Sequence, residues 1–263
     1  MKTNRIDNDA DMNTDQSLSN LTPEATISEI ISADSEAGEL LTSIGLSLSE
    51  HEQETLRSVC QQRKWSEVEV LQWLKKLSST TNGESPSANA ESVPERDTPL
   101  IKWTAYLEES FLDPNQSLLE ELEGNFPRIH KVHGNQYPWL KTMRWEFDRF
   151  REALGMYYAF EREKFFPLIG QLKNNSNNNL NHGTIQKLDK SFSVIERDQR
   201  RLRNLMKTIR EKGNQFENPG NACSTLRIQN ENFKILFSQL KKQFEVEEDH
   251  ILPRTKAEIR TKG

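Results

Sequence analysis

Four stretches of this chain carry apolar residues at helical spacing over about thirty residues each, with no strand-like alternation to compete. The first runs from about Leu100 to His133. The second, from about Trp139 to Ile169, places Leu140, Met143, Phe147, Phe150, Leu154 and Tyr157/Tyr158 on one face. The third, from about Thr184 to Lys212, carries Leu188, Phe192, Ile195, Leu202, Leu205, Met206 and Ile209. The fourth, from about Ala222 to Leu252, carries Leu226, Phe233, Leu236, Phe237, Leu240 and Phe244. Turn-forming residues separate them: Gly134 to Pro138, the Asn-rich Asn174 to Gly183, and Gly213 to Gly220. Four amphipathic helices of this length bury their apolar faces most simply against one another, as an up-down four-helix bundle with a longer middle loop. Asp113-Pro114 and Pro127 should break or kink the first helix, because proline lacks the donor a helix interior needs.

The chain ahead of residue 100 divides by composition. Residues 1–22 are polar, acidic and Asn/Ser-rich, and are expected to be a disordered arm. Residues 23–77 predict a small domain of short helices. Thr22-Pro23-Glu24 offers an N-cap with proline at the first helical position, and Gly45 offers a stop. Ser49 offers a second cap, and Ser66 with Glu69 a capping box. Residues 78–99, rich in Ser, Pro and Asn, form a linker. The bundle then spans 100–254 and a tail 255–263, so the expected class is all-α.

Composition narrows function by exclusion. Apolar residues make up 34% and charged residues 29%, which suits a surface-rich helical protein better than a compact α/β enzyme. A net charge of −5 gives the whole molecule no general attraction to nucleic acid or anionic membrane. Lys187 to Lys212 nevertheless carries nine bases against four acids. With acids interleaved and no stacking aromatics, this is a solvated face, or a dock for an acidic partner or the chain's own acidic arm, rather than a nucleic-acid stripe. The N-terminus lacks an apolar signal core, and no run approaches the roughly 18 apolar residues of a spanning helix. The expected setting is the cytoplasm, with Cys60 and Cys223 buried and reduced. Trp65 and Trp73 are expected to pack in the core of the small domain, with a partner-binding role as the alternative. No Ser/His/Asp set, P-loop, dinucleotide fingerprint or zinc-spaced cluster occurs, so the chain is not expected to be an enzyme.

Two phrases repeat: Glu161-Arg-Glu-Lys-Phe-Phe-Pro167 and Glu247-Glu-Asp-His-Ile-Leu-Pro253, 86 residues apart on the second and fourth helices. Carboxylate-bridged di-iron bundles place their bridging glutamates in this way, with histidine four residues earlier; here those positions hold Tyr157 and Gln243. Further phrases extend the likeness. They are Lys131-Val132-His133-Gly134 with Tyr137-Pro138, Phe160-Glu161-Arg162-Glu163 with Phe166-Pro167, Asn218-Pro219 with Ala222-Cys223-Ser224, and Ile251-Leu252-Pro253-Arg254. In the small domain, Ile44-Gly45-Leu46 and Glu54-Thr55-Leu56 followed by Cys60 also fit. Residues 23–77 and 100–254 together resemble the repair-of-iron-centres (RIC) di-iron proteins, which join a small helical domain to a hemerythrin-like bundle.

The resemblance implies iron–sulfur cluster repair and a nitrosative or oxidative stress context. It also implies two irons held by two bridging glutamates and four histidines. Carried onto this chain, the glutamates are Glu161 and Glu247, and the histidine positions fall on Leu112, Tyr157, Arg197 and Gln243. The family's Cys-Cys-Gly-Gly run falls on Ser49, Glu50, His51 and Glu52. Leucine donates nothing to a metal and arginine stays protonated, so the ordinary di-iron site is not expected and no cofactor is assigned. The expected replacement is a core ion pair in which Arg197 bridges Glu161 and Glu247. The expected function is a non-catalytic binding or regulatory protein, acting on a protein partner or as a homodimer. The alternative is a working repair protein with a remodelled iron site built from Glu161, Glu247, His250 and His133.

Overall fold

A computed structural model describes residues 18–81, 93–174 and 181–262. These residues are helical apart from turns and one isolated bridge between Thr26 and Thr55. They fall into two compact units, Met1–Thr81 and Asn82–Gly263. Most of the expected acidic arm, residues 1–17, lies outside the described residues. Its last part, Leu18–Asn20, is a single 3-10 turn in which Leu18 is buried.

The first unit contains α1 (Ile27–Ala33), α2 (Ser35–Ser43), α3 (Leu48–His51), α4 (Leu56–Arg63) and α5 (Glu67–Thr81). The first helix starts four residues later than Thr22-Pro23 suggests. Thr26 and Glu29 form the capping box instead, with Glu29 N donating to Thr26 Oγ1 at 3.2 Å and Thr26 N donating to Glu29 Oε2 at 2.7 Å. The carbonyls of Pro23 and Ala25 are taken by Arg57 N and Leu56 N, which ties this segment to the start of α4 rather than into a helix. Thr55, not Ser49, caps α4 through a 3.2 Å bond from Ser58 N. Ser66 accepts from Glu69 N as expected, and Gly45 ends α2 at φ 98°. Trp65 and Trp73 are buried with Ile27, Ile30, Leu41, Val59 and Leu74, so both are core residues of this unit.

The second unit is built of four long helical runs at the places the apolar spacing predicts. The first run comprises α6 (Leu100–Leu107), a π turn (Glu108–Leu112) and α7 (Asp113–His133). The second comprises α8 (Trp139–Phe160), a π turn (Glu161–Phe165) and α9 (Phe166–Asn174). The third is the single helix α10 (His182–Lys212). The fourth comprises α11 (Ser224–Val246), a π turn (Glu247–Ile251) and α12 (Leu252–Lys262). Helix α7 packs against α8 and α11, α8 against α10, and α10 against α12. Between them lies an aromatic core in which Phe126, Phe147 and Phe233 meet at ring separations of 5.3 to 6.3 Å. The expected tail at 255–263 is helical through Lys262, held by buried Thr255 and Ile259.

Neither proline break of the first run occurs. Pro127 sits inside continuous α7, and the Glu123 carbonyl it leaves without a helical donor faces Arg144 Nη1 of α8 at 3.4 Å. Pro114 follows a π turn, and so do Pro167 and Pro253. In each case the proline stands six residues after the glutamate that opens the turn. A π turn closes i→i+5 bonds, so the widened loop carries the i−4 carbonyl away from the proline ring and the helix resumes unbroken.

Candidate functional site

Glu161 and Glu247 each open a π turn, at 0% and 1% exposure, and point into the centre of the second unit. All four helical runs contribute a polar side chain around them. Tyr157 Oη donates to Glu247. Gln199 Nε2 from α10 donates to Glu247 Oε2 at 2.7 Å and lies 3.3 Å from Tyr157 Oη. Gln243 Nε2 donates to Glu247 Oε1 at 2.8 Å and reaches Glu161 Oε2 at 3.4 Å. The carbonyl oxygen of Gln243 accepts in turn from Tyr158 Oη at 3.1 Å, and Asn115 Nδ2 of α7 donates to Tyr158 Oη at 2.9 Å. Asn115, Tyr157, Gln199 and Gln243 are all buried to 1% exposure or less.

The two carboxyls are unequally supplied. Glu247 receives one phenol and two amide donors, whereas Glu161 Oε1 has no hydrogen-bond partner among the described residues. Burial, and then the neighbouring Glu247, push the Glu161 carboxyl well above the usual carboxylate range. Burial also raises Glu247, but its donors pull the other way. The poorly supplied carboxyl is thus the one held higher, and it takes up a proton before Glu247 as pH falls. Burial keeps the Tyr157 and Tyr158 hydroxyls well above the ordinary phenol range, so both remain donors.

Four of the residues singled out from sequence thus meet: Glu161, Glu247, Tyr157 and Gln243. The others do not join them. Leu112 is fully buried in the first π turn as an apolar packing residue. The Arg197 side chain is 69% exposed and binds its neighbour Asp198 at 2.9 and 3.1 Å, so the expected ion pair with Glu161 and Glu247 is not formed. The reason is helical register. Gln199 lies about 200° further round the helix than Arg197, which turns the amide inward and the guanidinium outward.

The alternative iron site is not assembled either. The His250 ring stacks on Trp103 at 4.4 Å. His133 Nε2 accepts from Cys223 N at 3.2 Å, where α11 begins without a side-chain cap of its own. His133 also stands 18 residues along α7 from Asn115, about 27 Å away at helical rise. In the first unit, His51 Nδ1 lies 2.8 Å from Glu54 Oε1. Both cysteines are free: Cys223 is half-buried, and burial pushes the buried Cys60 thiol up to about 12.

Sequence reasoning missed Asn115, Tyr158 and Gln199 as members of this cluster, although a signal was present. Gln199 interrupts the apolar stripe between Ile195 and Leu202, and Asn115 interrupts the one between Phe111 and Leu118. A polar residue inside such a stripe marks a buried polar contact.

Two irons would need imidazole or further carboxylate donors around the glutamates. This ring offers two carboxyls, two protonated phenols and three amides, and the donor groups already occupy carboxylate lone pairs. Among the described residues, no three His, Cys, Asp or Glu stand together so as to hold a metal ion. The donor set does not fit a di-iron centre. No known family model and no curated protein matches the chain.

Proposed function

We propose that the chain is a divergent hemerythrin-fold protein of RIC ancestry whose up-down four-helix bundle is organised around a proton-sharing carboxyl pair in place of metal. On this proposal it works as a non-catalytic binding or regulatory protein, related to iron–sulfur cluster repair and nitrosative or oxidative stress by descent, with a protein partner or a second copy of itself. One observation carries most of the weight: the positions around Glu161 and Glu247 are filled by Tyr157, Gln199 and Gln243, whose O–H and N–H groups satisfy Glu247 directly and leave Glu161 with one 3.4 Å contact from Gln243. On this reading the donors compensate the Glu247 charge and a proton on Glu161 removes the second, so that what would otherwise be two costly buried charges becomes a structural core. Elemental analysis and absorbance spectroscopy after anaerobic ferrous loading provide the test. The expected result is no stoichiometric iron after desalting. About two irons per chain with oxo-bridge charge-transfer bands would overturn the proposal.

A further inference from the structure

On the surface between α10 and α11 lies a groove of about 710 Å³ whose composition differs from the rest of the molecule. Helix α10 lines it with Arg203, Met206, Lys207 and Arg210, and α11 with Lys234, Phe237, Ser238, Lys241 and Phe244. Both sets recur at three- and four-residue spacing, so each is one helical face turned toward the same hollow. The floor is apolar: Phe216 and Phe244 are buried, and Met206 and Phe237 are half-buried. The rim holds five cations, and no carboxylate lines the groove. Four of these cations pair with acids outside it: Arg203 with Glu248, Lys207 with Glu211, Lys234 with Glu231 and Lys241 with Glu245. Exposed pairs of this kind are weak and leave the cations available to an incoming anion.

The turn that lines part of the groove is held in an uncommon backbone conformation. Asn214, Gln215 and Phe216 have φ of 53°, 57° and 61°, three successive non-glycine residues in the left-handed region. Each such residue costs about 1 kcal/mol or more. The turn persists because Phe216 stacks on Phe233 at 5.2 Å and meets Phe237 at 5.6 Å. The turn packs against both α10 and α11 and lines the groove with Gln215 and Phe216.

We propose that this groove binds a long-chain carboxylate, with the acyl chain on Met206, Phe216, Phe237 and Phe244 and the head among Lys207, Arg210 and Lys241. Volume and lining both fall in the range of small-ligand sites. From Lys234 to Phe244 the groove follows α11 for about 15 Å, the length of an extended chain of about a dozen carbons. Cations without lining acids select an anion, and an aromatic floor selects an apolar body. The proposal stands apart from the fate of the metal site.

The test is calorimetric titration of the full chain with dodecanoate, dodecyltrimethylammonium, dodecyl phosphate and acetate, each below its micellar concentration. Dodecanoate should bind saturably at one site, and the cationic and short-chain probes should not. Arg210→Glu with Lys241→Glu should weaken dodecanoate at least about tenfold. Phe237→Ser should weaken it as well, with helical circular dichroism retained in both variants. Lys131→Glu with Lys141→Glu, on other faces, should leave binding unchanged. Equal binding of the cationic detergent, binding of dodecyl phosphate alone, no dodecanoate binding, or indifference to the Arg210/Lys241 reversal would each overturn the proposal.

Discussion

Replacing Glu161 with glutamine tests directly where the buried proton resides. An unfolded glutamate titrates near 4.3. In the folded chain, burial and the adjacent Glu247 raise Glu161 well above that value. Between the two values the folded chain holds a proton that the unfolded chain lacks. The stability contributed by this group is therefore full below about pH 4.3 and drains as pH rises, at about 1.4 kcal/mol per pH unit, until Glu161 ionises in the folded state. Glutamine is neutral at every pH and nearly the same size. Glu161→Gln should thus cost little near pH 5 and gain on the wild type by about 1.4 kcal/mol for each further unit in that window. Glu247, which burial also raises, titrates in both proteins, so its own slope is shared and drops out of the difference. Glu247→Gln should behave oppositely, because it sets an amide against three donors and should cost about 3 kcal/mol or more. Urea unfolding at about pH 5, 6 and 7 and constant ionic strength provides the assay. A difference between wild type and Glu161→Gln that stays flat with pH would refute the assignment of the proton to Glu161.

Three further outcomes follow from named contacts. Gln199→Ala should destabilise by about 2 kcal/mol, because it removes a hydrogen bond to a charged acceptor, whereas Arg197→Ala should leave the unfolding midpoint unchanged. A large Arg197 effect would restore the ion-paired core. Arg144→Ala should cost about 1–2 kcal/mol by stripping the Glu123 carbonyl and the Phe126 face of their partner. Part of that cost should disappear in a Pro127→Ala background, where an N–H can serve Glu123, and a double-mutant cycle with no coupling would refute the link. Gln215→Gly should raise stability by up to about 1 kcal/mol in thermal melts by relieving a positive φ.

The helical class and the four long runs were legible because apolar spacing records which face of each helix is buried. The first three helical runs, and the start of the fourth, fall within a few residues of their expected places, while the fourth continues to Lys262 rather than ending at Leu252. Helix ends in the first unit were less legible. Thr22 and Ser49 are chemically as good as Thr26 and Thr55, and the choice is made by the tie between residues 23–25 and the start of α4, which no local pattern encodes. At the site, sequence phrases found both glutamates, Tyr157 and Gln243 but erred on α10. Charge complementarity favoured Arg197, while helical phase favoured Gln199 in the stripe of Ile195 and Leu202. Phase prevailed, because an exposed guanidinium keeps its hydration and an inward amide need not lose a full charge.

The same contrast explains what a glutamate followed six residues later by proline can and cannot signify. The spacing occurs four times in the helical runs: Glu108–Pro114, Glu121–Pro127, Glu161–Pro167 and Glu247–Pro253. Three of these are π turns, and Glu121–Pro127 lies in an uninterrupted α-helix. Proline therefore does not dictate the π turn; it demands that one carbonyl be relieved. In α7 the relief comes from outside, through Arg144. In the other three it comes from widening the helix. The first and second widened turns are also tied to each other, since Arg162, beside Glu161, reaches Glu108 at 3.0 Å and also binds Asp113. A π turn adds a residue to the helical repeat, so the apolar face before it and the one after it differ in phase. Glu161 and Glu247 sit at that change of phase, flanked on both sides by apolar faces turned to the same core, and neither can rotate into solvent without carrying half a helical run with it. Held inside in this way, the pair calls for neutralisation in place; on the metal-free proposal, a proton on the raised Glu161 carboxyl and the phenol and amides on Glu247 would supply it.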